Sequence, residues 1–245
     1  MQETDFGSII RDAVKASGVA DPYEFAVRAV RQLSVQALNQ AMTGCKDCKM
    51  NKDGHCSKSR LLAENPESVN ILVIADYPTS PSNGSPLADN EMDMLNQAYE
   101  CFGVDTNQIA YINAVSCEPL QVIGSKKTAR MPTSEESRNC KVFTDYAIKV
   151  LQPKLILLMG NFALNAYIHD VNIKSMRGQW TEVNGVKAMP TYSPTQIAKL
   201  VNTDECDDLQ EEMKNAFGDD LYMAFRWFQE SYPDANFAPN LLVNE

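Results

Sequence analysis

Two groups of residues in this sequence have the chemistry of a site. The first is Cys45-Lys46-Asp47-Cys48, a C-x-x-C pair inside a cysteine- and lysine-rich stretch from Gly44 to Arg60. Such a pair brings two thiolates close enough for one metal centre, and structural zinc, redox dithiols and iron–sulfur clusters all use it. His55 and Cys56 lie nearby, so a local zinc knuckle is one candidate. The second group is "YINAVSCEPL", residues 111–120, where a strand-like run leads into Asn113 and then Cys117. Cys140 follows in the first turns of the next helical pattern. The start, MQETDFGSII, has no basic region followed by an apolar one, so a secretory leader is not expected. The seven cysteines therefore read as ligands or free thiols rather than a disulfide framework. Cys101 and Cys206 fall in helical patterns and read as ordinary core or surface cysteines.

These residues need elements to position them, and the hydrophobic pattern supplies a set. At 245 residues and 44% hydrophobic, the chain can bury one sizeable α/β domain with an added helical segment. Residues 1–42 read as helical, with Asp21-Pro22 as cap and first helical residue and an apolar stripe through Phe25, Val27, Val30, Leu33, Leu38 and Met42. Strands are expected at 69–75, 109–115 and 154–159. Helices are expected at 90–102, from a Thr133/Glu136 capping box to about 151, from about 161, and over most of 194–232. "WTEVNGVKAMP" reads as a hairpin turning at Asn184-Gly185. The residues Lys126 to Arg130 read as an exposed loop or a local basic groove.

Strands alternating with helices imply a three-layer α/β/α fold with a mostly parallel sheet. Ligands bind such sheets at the carboxyl ends of strands. Asp76-Tyr77-Pro78, Asn113 to Cys117 and Gly160-Asn161 all lie there. Cys45, Cys48, Cys117 and Cys140 can meet at one sheet edge if the Cys45 loop folds over it.

The ordered set of C-x-x-C, "NAVSCEP", Cys140, "PKLILLMGNFA" and "MRGQW" resembles the iron–sulfur, family 4 uracil-DNA glycosylases. The likeness covers roughly residues 44–230. It divides the chain into an N-terminal helical extension (1–43), a glycosylase-like domain (44–232) and a tail (233–245). The resemblance implies a [4Fe–4S] cluster on Cys45, Cys48, Cys117 and Cys140, with zinc as the alternative metal. It implies that Asn113 reads the edge of a flipped uracil, since an amide offers both a donor and an acceptor. Asp76 would orient water or stabilise the sugar cation, and Ser193 would assist the leaving base. Arg177 and the loop after Pro194 would contact the DNA strand.

Three motifs depart from the family. Its G-E-x-P-G is here Ala75-Asp76-Tyr77-Pro78-Thr79, with Tyr77 adding bulk beside the base. Leu87 stands where a phenylalanine stacks on uracil. Ser193 replaces the histidine of the late H-P-S motif, and loss of such a donor typically costs about 10²–10³ in rate. Two functions are therefore weighed. One is a DNA-binding glycosylase with a weakened site for uracil or a related base. The other is a non-catalytic accessory protein of a replication or repair complex, as glycosylase folds serve in viruses, with residues 1–42 holding the partner. A zinc-stabilised α/β binding protein is a third reading. The formal charge of −10 argues against DNA binding by overall charge and leaves room only for a local site. No membrane contact is expected, and the chain reads as cytoplasmic.

Overall fold

The computed structural model describes residues 22–52, 58–79, 84–201 and 207–235. Residues 1–21, His55, Cys56, Cys206 and the end of the tail lie outside the described residues, and so do the readings placed on them.

A five-stranded sheet forms the centre. Its strands are β1 (Ile71–Ala75), β2 (Ile109–Asn113), β5 (Leu155–Met159), β6 (Thr181–Val183) and β7 (Val186–Thr191), in the order β2-β1-β5-β7-β6. All neighbours are parallel except β6, which runs antiparallel to β7. β1, β2 and β5 are buried at every position, as expected of strands covered on both faces. Asn184 and Gly185 turn the β6–β7 hairpin with φ of 49° and 82°, the left-handed pair of a type I′ turn.

The connections fix the layers. From β1 the chain moves outward through α3 (Asp89–Cys101) to β2. It then returns across β1 through α4 (Ser134–Leu151) to β5. Right-handed crossovers in opposite directions place α3 and α4 on opposite faces. Consistent with this, α1 (Pro22–Gly44) packs on α4, while α7 (Pro194–Val201) packs on both α3 and α8 (Asp208–Ser231). The Thr133/Glu136 capping box is present: the Thr133 hydroxyl accepts from the Glu136 amide at 3.2 Å, and the Glu136 carboxylate accepts from the Thr133 amide at 2.8 Å.

Three expectations are corrected. First, Lys126 to Arg130 is not a loop. Leu120–Ile123 (β3) and Lys126–Ala129 (β4) form a separate antiparallel hairpin turning at Gly124-Ser125. Second, the apolar stripe of α1 splits between two faces. Leu38 and Met42 join Val35 in the core, while Val27, Val30 and Leu33 are exposed. Successive positions at helical spacing drift around the axis, and the buried line runs through 35, 38 and 42. Third, the segment after Pro194, read above as a strand-contacting loop, is helical, in keeping with the helical pattern expected over most of 194–232.

Candidate functional site

The site grows from the two strand ends where the crossovers part. The connection leaving β1 goes to one face and the connection leaving β5 continues towards β7 on the other, so a crevice opens between them. Asp76 follows β1 directly, and α5 (Asn161–Asn165) follows β5 after Gly160. Asp76 Oδ1 accepts hydrogen bonds from the backbone amides of Phe162 (2.7 Å) and Ala163 (3.0 Å). Gly160 has φ 111°, and a Cβ there would overlap the Asp76 carboxylate. Burial pushes the Asp76 carboxyl up to about 7, against the lowering effect of the Ala163 and Phe162 amides.

Asp76 opens onto a cleft of about 740 Å³ that also touches Tyr77, Phe162 and Ser193, with Pro119, Arg130, Met131 and Lys199 around it. Tyr77 and Phe162 meet edge to face, with ring centroids 5.3 Å apart. Burial and the neighbouring Asp76 carboxylate raise the Tyr77 phenol. Ser193 lies between the end of β7 and the start of α7 and is largely buried.

Asn113 ends β2, in register with Ala75, the residue before Asp76. It is 1% exposed and is not part of the cleft lining. Neither Nδ2 nor Oδ1 has a hydrogen-bond partner. An amide left so inside a protein costs about 1–3 kcal/mol.

The cysteines gather at the outer edge of the sheet. Lys58 bridges to Cys117, and Leu62 bridges to Tyr111 of β2, so the chain leaving the Cys45 loop lies along the β2 edge. Cys48, Cys117 and Cys140 form a small buried cluster with Met50 and Val115, and Tyr77 packs against it. Cys45 is half-buried and close enough to raise the Cys140 thiol electrostatically, although burial is the main reason that thiol is pushed up to about 11. The Asn139 side chain donates to the Asp47 carbonyl at 3.2 Å, tying the loop to α4. Among the described residues no group of three or more Cys, His, Asp or Glu is placed to hold a metal ion.

Two further expected site residues do not line the cleft. Leu87 is 3% exposed and belongs to the main core; as an aliphatic residue just before α3 it fills the interior and does not line the cleft. Arg177 faces Asp220, donating from Nε at 2.9 Å and from Nη2, and it also donates to the Ala216 carbonyl at 2.6 Å. Asp220 is fully buried, so Arg177 balances an interior carboxylate, and its side chain remains partly exposed. Phe162 was missed. Its position two residues after Gly160, at a strand's carboxyl end, is the signal that points to it.

A sequence model of the uracil DNA glycosylase superfamily matches residues 63–217. The chain belongs to this superfamily. Among curated proteins it is similar to a type-4 uracil-DNA glycosylase of Thermotoga maritima, 21% identical over 175 residues, which are 69% of this chain and 85% of the relative. It is also similar to a type-4 uracil-DNA glycosylase of Sulfurisphaera tokodaii, 22% identical over 193 residues, 74% of this chain and 82% of the relative. Asp76, Asn113, Cys117, Cys140, Arg177 and Ser193 all fall inside the superfamily match, whereas Cys45 and Cys48 precede it. Among the described residues no helix is long and apolar enough to cross a membrane.

Proposed function

We propose that this superfamily member binds DNA, receives a flipped uracil or related base, and excises it slowly. The observation that carries this reading is Asn113: a fully buried amide with both polar atoms unpartnered, one strand away from Asp76. A donor and an acceptor on one group match the Watson–Crick edge of a pyrimidine. Because Asn113 is closed off from the cleft, base entry requires the cleft wall to yield.

In this reading the ionised Asp76 orients water towards C1′ or stabilises the developing sugar cation. Two amides already hold its Oδ1, which fixes the carboxylate in place. Phe162 and Tyr77 offer the aromatic surface that Leu87 does not. Ser193 puts a short hydroxyl where the family has a charge-stabilising histidine donor, and this is the reason for slow release.

Cys45, Cys48, Cys117 and Cys140 would hold a [4Fe–4S] cluster. The donor chemistry suits it: Cys48, Cys117 and Cys140 share an apolar cluster, burial disfavours the Cys140 thiolate, and Cys45 lies close enough to Cys140 to be felt electrostatically. A single zinc ion needs all its ligands within about 2.3 Å of one point, whereas a four-iron cluster gives each thiolate its own iron. The cluster's contribution would be structural, cross-linking the Cys45 loop, the segment after β2 and α4.

The decisive assay is uracil release from single-stranded oligonucleotides under single-turnover conditions. Slow release by the wild type, lost in Asn113→Ala, is the expected result. Equal release by both proteins removes Asn113 from base recognition. The non-catalytic accessory reading is supported by the exposed Val30 and Leu33 of α1, at 62% and 63%. It predicts no release by any variant.

A further inference from the structure

The β3–β4 hairpin stands apart from the central sheet, and a two-stranded hairpin alone is at best marginally stable in water. Here its root is clamped. The Arg130 amide donates to the Pro119 carbonyl at 2.9 Å, and Arg130 Nε donates to the Leu120 carbonyl at 3.2 Å. The Arg130 guanidinium grips Glu136 with two bonds of 2.8 and 2.6 Å, at the start of α4. Pro119, Ala129 and Arg130 also line the Asp76 cleft, so the hairpin rises from the cleft's own rim.

The tip beyond this root carries an exposed apolar residue and two lysines. Ile123 is 62% exposed and pairs in register with Lys126, which puts both side chains on one hairpin face. Lys126 and Lys127 are both exposed, on a chain whose formal charge is −10. An exposed apolar residue with one lysine on its own face and a second on the opposite face, on a hairpin whose root is clamped, suits a duplex: proteins that unstack DNA insert aliphatic side chains between base steps while cations hold the phosphates.

We propose that the β3–β4 hairpin is a duplex wedge, in which Ile123 enters the stack beside the flipped nucleotide and Lys126 and Lys127 hold the flanking phosphates. The proposal rests on the base-flipping reading above and adds the element that makes duplex DNA a substrate. The wedge supports the gap that an extruded base leaves. It has no such task on a single strand.

The test uses full-length protein, a duplex with a central uracil–adenine pair next to 2-aminopurine, and the matching single strand. Wild-type protein should raise 2-aminopurine fluorescence in the duplex. Ile123→Ala should abolish that rise and weaken duplex binding about tenfold, with single-strand binding unchanged within twofold. Lys126→Glu with Lys127→Glu should weaken both and reduce the slope of log affinity against log salt by about 2. Ile123 is exposed, so its truncation does not threaten the fold. Unchanged duplex binding by Ile123→Ala, equal losses on duplex and single strand, or a wild type that does not bind the duplex would each overturn the wedge. The underlying base reading is scored separately by comparing Asn113→Leu with wild type on uracil- and thymine-containing single strands, where Ile123 plays no part.

Discussion

Gly160 and Asp76 are in direct apposition: the space a Cβ would fill on Gly160 is occupied by the Asp76 carboxylate. The left-handed φ of 111° and this contact both demand glycine. Gly160→Ala should therefore cost about 2 kcal/mol or more of stability and misplace the carboxylate. The double variant Gly160→Ala with Asp76→Ala should be less damaged than the sum of the singles, because the overlap disappears. Additive losses in chemical denaturation would mean that backbone strain alone is responsible.

The second prediction follows from the Asp76 carboxyl, pushed up to about 7 by burial. Its unfolded value is about 3.9, so the folded state binds the extra proton between those limits. The stability it contributes is complete below about 4 and is lost as pH rises through 7. Relative to Asp76→Asn, the wild type should lose melting temperature between pH 5 and pH 8. Uracil release, if it uses the ionised form, should rise over the same interval. A wild-type minus variant difference that stays flat with pH would show an ordinary carboxylate.

Asn113 gives a third prediction, in which stability and recognition move in opposite directions. Asn113→Leu keeps the number and branching of heavy atoms, with somewhat larger methyl groups, and removes two unpartnered polar atoms. It should stabilise the free protein by about 1 kcal/mol, raising its melting temperature by about 2–4 °C, while base recognition is lost. A large drop in melting temperature would reveal hydrogen bonds that hold the amide in the free protein.

The fourth prediction concerns Ser193. If its short hydroxyl is the main lesion, Ser193→His should accelerate uracil release at least tenfold, a part of what a lost charge-stabilising donor costs. If Ser193→His leaves release unchanged while Asn113→Ala abolishes it, leaving-group stabilisation is not what limits this site.

The cysteines give a fifth. Anaerobically purified protein should be brown with about four irons per chain, and Cys117→Ala or Cys140→Ala should remove the colour. Cys101 is exposed on α3, and Cys101→Ala should keep it. Stoichiometric zinc with no iron would replace the cluster with a mononuclear site.

Much of the scaffold was legible because its signals are local. "ILVIA" and "LILLM" are unbroken apolar runs, Thr133 and Glu136 sit three apart, and Asn184-Gly185 specifies its turn. The β3–β4 hairpin was not legible from periodicity. Its strands are short, and Gln121, Lys126 and Lys127 face solvent, so no buried face imposes an alternation; only the Gly124-Ser125 pair signals the turn. The Arg177–Asp220 pair joins residues 43 apart in sequence, and nothing near Arg177 foretells it. Leu87 shows the limit of motif matching: its place in the order pointed to the site, while its side chain went to the core. Asn113 and Asp76 were legible as strand-end residues, but not the closure of one and the exposure of the other to the cleft.

The bridges from Lys58 to Cys117 and from Leu62 to Tyr111 have a bearing on self-association. They cover the outer side of β2, where a parallel sheet would otherwise present a row of open amides and carbonyls to any passing chain. That cover is short, and it hangs from the same loop that carries Cys45 and Cys48. If a cluster anchors the loop, as proposed above, its oxidative loss would thus do more than bleach the protein. It would uncover a sticky border, and the damaged molecules would leave solution as aggregates before they unfolded.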